Sequence, residues 1–388
     1  MMRVGISSIG ISRFGRRLDT NVFDLAYEAV SEVFDEGYIS PEDIDYIVFT
    51  STGFTPESSP AGIYIEYLGL NPKAVYRVEA ACASGSAGIY TAYNMVRSGY
   101  ADNILVLGLE KMYEFDTPSA VEYLARLGSY FWEVRDYGIT FPGYYATFMT
   151  RYMYEYGASE EDFCLVAVKN HYYGARNPKA QYQREITLDE CMESRYIARP
   201  IKLYDCSPIT DGSAAVVVSS EESIKDYRVD TPIWIEAIGS ASMPASLSNR
   251  DSFTSISSAK AAAEYVYKVA GIDDPVKEID VATVHDCFTV AEILAYEDLG
   301  FAEPGMGVKL IRDGETYVGG KIPVNLDGGL KAKGHPVGAT GIAMYVEIVK
   351  QLRGEAEKGR QAPIERGVGL THNVGGVGQY AYVSILRR

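Results

Sequence analysis

The chain has 388 residues, of which 47% are hydrophobic, so it is long enough to bury a sizeable core in about two or three domains. Its formal net charge of -16 disfavours nucleic acid and anionic membrane surfaces as partners, because both are negatively charged. The sequence has neither a signal-peptide pattern nor an uninterrupted apolar stretch of about 18 residues, which predicts a cytoplasmic protein without a membrane span.

Cysteine usage fits the same compartment. The five cysteines are odd in number and scattered along the chain, which argues against a disulfide framework. They form neither a Cys-x-x-Cys pair nor a Cys/His cluster with zinc spacing, so we expect no metal site.

Strand and helix patterns alternate at the start of the chain. Residues Val4 to Ile9 form an apolar run typical of a strand, and a helical stripe runs from Phe23 to Phe34. A second buried strand is predicted at Ile44 to Phe49, and another at Asn103 to Gly108. These spacings imply right-handed parallel crossovers in an α/β sheet covered on both faces.

Cys82 lies at a predicted junction of strand, tight turn and helix. An apolar run leads into it, small residues follow it, and apolar residues then recur at helical spacing from Ile89 to Val96. The positive end of a helix dipole favours the thiolate, which is the form of cysteine that attacks carbonyl carbon. The alternative is that Cys82 is a small buried hydrophobic residue, the usual fate of a free cysteine.

The composition changes at about Lys111, after which the chain is rich in tyrosine as far as Tyr156. We interpret residues 112–206 as an insertion over the carboxyl end of the sheet, where open α/β sheets bind their ligands. The alternative is a packing subdomain without a ligand role. His171, within this segment, is expected to be a structural hydrogen-bonding residue.

The second part of the chain repeats the first. Residues 275–284 echo residues 41–50, residues 334–346 echo the small-residue turn and helix at Cys82, and residues 376–385 echo residues 211–219. Three matches in the same order predict two duplicated βαβαβ halves packed together. The predicted domains are residues 1–111 with 207–229, the inserted residues 112–206, and residues 230–388.

Three of the four histidines lie at the ends of predicted strands or just before a predicted helix. His285 begins a His-Asp-Cys-Phe motif at the end of a predicted strand, and His335 precedes the second small-residue helix. His372 follows a predicted strand at Gly367 to Leu370 and opens a glycine-rich loop. Each alone would be typical of a structural histidine, but together with Cys82 they lie at equivalent ends of the two half-sheets, which predicts one shared site.

This set of groups suits thioester chemistry. A cysteine nucleophile takes an acyl group, glycine N–H donors stabilise the oxyanion, and a second, well-placed base can then remove a proton from carbon. The sequence contains neither a Walker A loop nor a Gly-x-Gly-x-x-Gly that opens a helix after a strand, so nucleotide-phosphate and hydride transfer are poorly supported.

The motifs resemble those of thiolases along essentially the whole chain. The resemblance rests on Ala-Cys-Ala-Ser-Gly around Cys82, His-Asp-Cys-Phe from His285, the Gly-His-Pro segment around His335 and His-Asn-Val-Gly-Gly from His372. Conventional thiolases have Asn-Glu-Ala-Phe in place of the second motif and Cys-x-Gly in place of the fourth. Both departures are similar to sterol-carrier-protein-2-type thiolases and their archaeal relatives.

The resemblance implies a five-layered αβαβα thiolase fold with two similar halves and an inserted loop domain. It also implies Claisen condensation of two acetyl-CoA molecules to acetoacetyl-CoA, with the reverse thiolysis, and no cofactor beyond coenzyme A thioesters as substrates. The expected assembly is a homodimer or a dimer of dimers. Further expected partners are a hydroxymethylglutaryl-CoA synthase and a zinc-ribbon/OB-fold bridging protein, in the mevalonate pathway of isoprenoid biosynthesis.

The resemblance also assigns residue roles. Cys82 carries the acyl group, His335 activates it, and Cys287 removes the α-proton. His285 and His335 bind the thioester oxygen of the second substrate. The N–H of Cys82, with that of Val374 or Gly375, is expected to form the second oxyanion hole. His372 is a possible supporting group. Weak candidates for binding coenzyme A are Lys179, Arg184 and Arg195.

Two rival functions remain open. A decarboxylating β-ketoacyl synthase also joins a reactive cysteine to imidazoles, but Cys287 is superfluous there because loss of carbon dioxide generates the carbanion. A non-catalytic acyl-CoA-binding scaffold is disfavoured by the intact set of Cys82, His285, Cys287 and His335.

Overall fold

The computed structural model describes residues 2–54 and 60–388, in which eleven strands and fourteen α-helices are found. The strands are β1 Val4–Ile11, β2 Tyr46–Thr50, β3 Ala74–Val78, β4 Asn103–Lys111, β5 Tyr196–Ala198, β6 Ile201–Lys202, β7 Asp211–Ser220, β8 Ile233–Ser242, β9 Val281–Val284, β10 Val368–Gly375 and β11 Tyr380–Arg387. The helices are α1 Val22–Asp35, α2 Ala61–Tyr67, α3 Ser84–Arg97, α4 Thr117–Ala125, α5 Arg135–Tyr137, α6 Phe141–Tyr156, α7 Glu160–Gly174, α8 Leu188–Met192, α9 Glu221–Asp226, α10 Ser257–Ala270, α11 Pro275–Glu278, α12 Thr289–Asp298, α13 Gly307–Arg312 and α14 Val337–Arg353.

The two halves of the fold have the same strand order. Nine strands form one sheet in the order β3-β2-β4-β7-β1-β8-β11-β10-β9. In the second half, β9, β10, β11 and β8 repeat the order of β2, β4, β7 and β1, and a parallel bridge from Ala282 to Val324 takes the place of β3. The halves meet at a short β1–β8 ladder that pairs Gly5 with Trp234 and Ile6 with Ile233.

Helices cover both faces of each half-sheet. Alternate residues of β4 show this, because Leu105 packs in the cluster of α1 while Ile104 packs in the cluster of α3 and α14. Helix α14 contacts strands of both halves, and α10 lies against β8 and β11 on the far side. The layers are therefore α1, first half-sheet, α3 with α14, second half-sheet and α10, which confirms the expected fold.

The first turns of α3 and α14 pack backbone against backbone. A Cβ on Gly85 would lie 2.6 Å from the backbone N of Ile342, and one on Gly341 would lie 2.3 Å from the backbone N of Ser86. Because real Cβ atoms essentially never approach that closely, both positions require glycine. This contact brings the residues just before the two helices, Cys82 and His335, toward each other.

The tyrosine-rich segment between β4 and β7 packs on the second half. Buried residues of α6, including Tyr145 and Phe148, share a hydrophobic cluster with Phe288 and the apolar residues of α12. His171 on α7 is buried, and its Nδ1 donates to the carbonyl oxygen of Arg184 at 3.0 Å, so its predicted structural role agrees with the geometry. The boundaries of the three domains stay a prediction.

One expectation about the cysteines is wrong. Cys164 and Cys191 form a disulfide with a Cα–Cα distance of 5.8 Å, whereas Cys82, Cys206 and Cys287 are free. The two bonded cysteines come together because α7 and α8 pack around one small hydrophobic cluster, although the residues lie 27 positions apart. Among the described helices, none combines the length and the hydropathy needed to cross a bilayer.

Candidate active site

Cys82 sits on a strained turn between β3 and α3. The preceding residue, Ala81, has φ = 52°, a left-handed conformation that costs a non-glycine residue on the order of 1 kcal/mol. Two side chains hold this turn: Ser84 Oγ accepts from the N–H of Ala80 at 2.9 Å and donates to the carbonyl oxygen of Ala81, and the carboxylate of Glu79 accepts from the N–H of Ala81. The turn thus presents the Cys82 sulfur to an adjacent cavity.

Two histidines from the second half converge on this sulfur. Cys82 Sγ and one ring nitrogen each of His285 and His335 all lie within 4.8 Å of one another. His285 follows β9, His335 precedes α14, and their rings meet edge to face with centroids 5.3 Å apart. The structure therefore brings together the predicted nucleophile and both predicted oxyanion-site imidazoles. The same atom types can also ligate zinc.

Burial keeps this cluster neutral at rest. Burial raises the pKa of Cys82 to about 12, although the N–H groups of Gly376 and Cys82 itself act in the opposite direction. Burial, reinforced by Lys333, lowers the pKa of His335 to about 3. Desolvation therefore opposes the thiolate that the helix N-terminus is expected to favour.

Backbone donors point at the sulfur from a slightly different place than predicted. The N–H of Gly376 joins that of Cys82 at the thiol, whereas Val374 and Gly375 are still paired with β11. Gly375 instead permits close approach, since a Cβ there would lie 2.2 Å from the carbonyl oxygen of Ala80. The oxyanion donor at Val374 or Gly375 stays a prediction, and the N–H of Gly376, one residue further on, is an additional candidate.

Cys287 lines the same cavity, two residues after His285. Burial raises its pKa well above the ordinary value, while a hydrogen bond from the Tyr145 hydroxyl acts to lower it. The Tyr145 ring stacks on Phe288 with centroids 4.5 Å apart. Tyr145 belongs to the insertion, and its contact with the second thiol was not predicted from the sequence.

His372 lies behind the site rather than in it. The residue is inside β10, which pairs with β9 as far as His372 and with β11 as far as Gly375, so the predicted early start of a loop is wrong. Side chains alternate along a strand, which puts His372 on the opposite face from Asn373. The N–H of His285 approaches its Nδ1 at 3.5 Å, and its buried Nε2 has no hydrogen-bond partner within residues 2–54 and 60–388.

The three candidate coenzyme A contacts are scattered. Arg195 lines the cavity. Lys179 instead donates to the carbonyl oxygen of Ile11 at 2.8 Å and pairs with Glu32. Arg184 is exposed and pairs with Glu190 at 2.8 Å.

The cavity has a volume of about 250 Å³ and is mostly apolar. The insertion supplies much of its wall, and Cys82, Cys287 and His335 form its reactive end. Such a shape suits an acyl group or a slender thioester arm with its carbonyl carbon at the cysteine. The apolar wall residues include Met112, Val121, Leu124, Phe141, Ile197 and Leu203.

The fold, together with a cluster of one cysteine and two histidines beside a cavity, is that of an α/β acyltransferase. Two family models match the chain: "Thiolase, N-terminal domain" over residues 5–222 and "Thiolase C-terminal domain-like" over residues 239–388. The chain belongs to the thiolase family and is a thiolase-type acyltransferase.

Similar proteins agree with this assignment. The chain is 39% identical over 391 residues to an acetyl-CoA acetyltransferase of Methanothermobacter thermautotrophicus, with 100% of both chains covered. It is 32% identical to sterol carrier protein 2 of Bos taurus, covering 96% of this chain and 70% of that protein. Among solved structures, an Ltp2-ChsH2(DUF35) aldolase matches with a TM-score of 0.84 and 27% identity, covering 99% of this chain and 97% of that one. A monomeric SCP2-thiolase-like protein type 1 of Mycobacterium smegmatis matches with a TM-score of 0.75 and 18% identity, covering 99% and 77%, and this match speaks for the fold alone.

The geometry predicts a selective reaction of Cys82 with thiol reagents. Iodoacetamide should modify Cys82 faster than Cys206, which lines the same cavity but donates to the carbonyl oxygen of Lys202 rather than facing the histidines. The rate should rise with pH through pH 7–9 without a plateau, because the raised pKa keeps the thiolate fraction small. Peptide mass spectrometry at several pH values measures this, and equal rates at the two cysteines would contradict it.

Proposed function

We propose that the protein condenses two acetyl-CoA molecules into acetoacetyl-CoA and coenzyme A, and catalyses the reverse thiolysis, through an acetyl group on Cys82. The observation that carries the proposal is that Cys82, His335 and Cys287, a nucleophile, a base and a second thiol, line one cavity. The activity named for the archaeal relative at 39% identity supports the choice of acetyl-CoA.

In the first half-reaction the Cys82 sulfur bonds to the carbonyl carbon of acetyl-CoA while His335 takes the thiol proton. The carbonyl oxygen becomes an oxyanion and accepts from the N–H groups of Cys82 and Gly376. Collapse of this intermediate breaks the bond to the coenzyme A sulfur. The departing thiolate takes the proton of Cys287, which leaves a Cys287 thiolate beside the Tyr145 hydroxyl.

In the second half-reaction this thiolate removes a proton from the methyl carbon of a second acetyl-CoA. His285 and the protonated His335 bind the thioester oxygen of that substrate, where negative charge develops. The carbanion attacks the acetyl carbonyl on Cys82, the new carbon–carbon bond forms and the bond to Cys82 breaks. Cys82 regains its proton from His335, so both thiols end as they began.

This scheme explains why a thiol with a raised pKa can serve as a base. Burial disfavours a Cys287 thiolate in the resting protein, so the thiol gives up its proton only to a base as strong as another thiolate. The leaving coenzyme A thiolate is such a base. The base is therefore generated in place by the first half-reaction. A decarboxylating synthase would need no such thiol in its cavity.

One assay tests the proposed reaction. The protein is incubated with acetyl-CoA, the peptide that contains Cys82 is examined for a 1:1 acetyl adduct, and released acetoacetyl-CoA is measured. Malonyl-CoA serves as the alternative substrate in a parallel reaction. Turnover that requires the malonyl thioester would contradict the proposal and favour the decarboxylating synthase, and binding of acetyl-CoA without adduct or product would favour the scaffold.

We infer that the protein works as a homodimer or a dimer of dimers in the cytoplasm. Condensation of two thioesters is uphill, so a downstream enzyme that drains the product, such as hydroxymethylglutaryl-CoA synthase of the mevalonate pathway, has a physical reason to associate with it. A zinc-ribbon/OB-fold protein is the proposed bridge, and the similar Ltp2-ChsH2(DUF35) aldolase carries the name of a second component.

The insertion offers a docking face for such a partner. Phe131, Trp132 and Tyr137 are 62%, 74% and 86% exposed, and aromatic residues are enriched at protein interfaces. Light scattering at micromolar concentration should give at least the mass of a dimer, and the partners should co-purify from the source cell. A monomer would contradict the oligomer, and their absence from the purified material would contradict the coupling.

A further inference from the structure

Asn373 joins the nucleophile to one of the two histidines. Its side-chain Nδ2 lies 3.2 Å from the carbonyl oxygen of Cys82 and 3.0 Å from Nδ1 of His285. Asn373 is completely buried, on the face of β10 that points at α3. The amide therefore holds one atom of the nucleophile's backbone and one atom of the imidazole together.

The first of these contacts fixes the orientation of the amide. A carbonyl oxygen only accepts hydrogen bonds, so the atom facing Cys82 has to be the NH₂ group of Asn373 and not its oxygen. The same NH₂ group then donates to His285, and Nδ1 of that ring has to be the unprotonated nitrogen. Burial lowers the pKa of His285 well below its ordinary value, so the ring is neutral and its single proton is on Nε2.

The proton on Nε2 of His285 is available to donate a hydrogen bond to a ligand. His285 Nε2 is buried and has no hydrogen-bond partner in the described part of the chain. A buried N–H without a partner is destabilising, and a hydrogen bond to a ligand oxygen would remove this cost. The ring is part of the cluster with Cys82, so that oxygen belongs to a substrate bound there.

Thr340 fixes the other histidine in the opposite way. Its hydroxyl lies 3.0 Å from the carbonyl oxygen of Pro336, to which it donates, and 2.7 Å from Nδ1 of His335. A hydroxyl has one proton, so its oxygen accepts from His335, and Nδ1 of this ring is the protonated nitrogen. His335 Nε2 therefore presents a lone pair.

We propose that Asn373 and Thr340 are positioning residues that set opposite tautomers in the two facing histidines, so that His285 is a fixed hydrogen-bond donor to the thioester oxygen and His335 a fixed proton acceptor for Cys82. The inference rests on the proposed function and adds the division of labour between the imidazoles. With the wrong tautomer, His285 would turn a lone pair toward an oxygen that gains negative charge. The ring centroids are only 5.3 Å apart, so each ring needs a defined tautomer to keep its own role.

Nuclear magnetic resonance of ¹⁵N-histidine-labelled protein tests the tautomers directly, without any substrate. The chain has only four histidines, so single His→Gln variants assign the signals. We expect a protonated Nε2 and a bare Nδ1 in His285, and the reverse in His335. The same tautomer in both rings would overturn the inference even if the condensation activity is present, which separates it from a failure of the proposed function.

Kinetics test what the tautomers do. Asn373→Leu should lower condensation by roughly 10²-fold, the usual loss of one oxyanion donor, while acetylation of Cys82 changes much less. Thr340→Val should instead slow acetylation, and Thr340→Ser, which keeps the hydroxyl, should restore it. Thr371→Val is the matched control, since it removes a buried hydroxyl two residues before Asn373 on the same strand.

A purely structural role for Asn373 would give a different pattern. It would lower both half-reactions equally, and the His285 signals of Asn373→Leu would keep the wild-type tautomer. Either result would contradict the inference.

Discussion

Replacing Cys82 with alanine should abolish covalent acetylation and reduce acetoacetyl-CoA formation by at least about 10⁴-fold, because enzymes that lose their covalent nucleophile lose nearly all of their rate. The fold should survive, since alanine fits the small buried site and the turn is held by Glu79 and Ser84 rather than by the sulfur. Mass spectrometry of the protein after incubation with acetyl-CoA, together with a coupled rate assay, measures both effects.

Cys206→Ala is the control for this experiment. It removes a thiol from the same cavity and should keep the acetyl adduct and most of the rate. An adduct that persists at another residue in Cys82→Ala, with turnover near the wild-type rate, would mean that the nucleophile is not Cys82.

The second large effect is expected at Cys287, and it should fall on only one half-reaction. In Cys287→Ala, Cys82 should still be acetylated at a rate close to that of the wild type. Condensation should fall by roughly 10²–10⁴-fold, the usual loss when a positioned base is removed. Single-turnover acetylation and steady-state condensation are measured separately to show this.

Two other results would be informative. Near-normal condensation by Cys287→Ala would contradict its assignment as the base and would make His372 the next candidate, although that ring lies on the far face of β10. A gain of activity with malonyl thioesters would favour a decarboxylating synthase.

The duplicated fold was predictable because it depends on repeated local patterns. Three segments recur in the same order, and each match carries both a hydrophobic run and its flanking turn, so the shared strand order of the two halves followed from the sequence. The carboxyl-terminal end of β10 was predicted less well. Its His-Asn-Val-Gly-Gly end has a loop-like composition, but the ladder with β11 holds it extended to Gly375, beyond the end of the β9 ladder at His372.

The meeting of Cys82, His285 and His335 was predicted for a similar reason, since equivalent strand ends come together in duplicated halves. Asn373 and Tyr145 were missed, because their roles depend on which face of a strand or helix points at the site, and a single sequence does not fix that register. The sequence also suggested a thiolate at Cys82, where desolvation reverses the sign of the pKa shift.

The disulfide was missed on different grounds. The number and spacing of the cysteines describe the chain, whereas the Cys164–Cys191 bond depends on how two short helices of the insertion pack. Nothing in the local pattern around either residue marks that contact.

The contact between Gly85 and Gly341 has a bearing on how this protein tolerates change. Cys82 belongs to one half and His335 to the other, and these two glycines allow direct backbone contact at the joint between the halves. A single added methyl group would widen the joint while leaving each half-sheet intact. The turnover rate should therefore respond to a change at this contact more strongly than any measure of secondary structure does. A variant with a methyl group added here can keep native secondary structure and still have no activity.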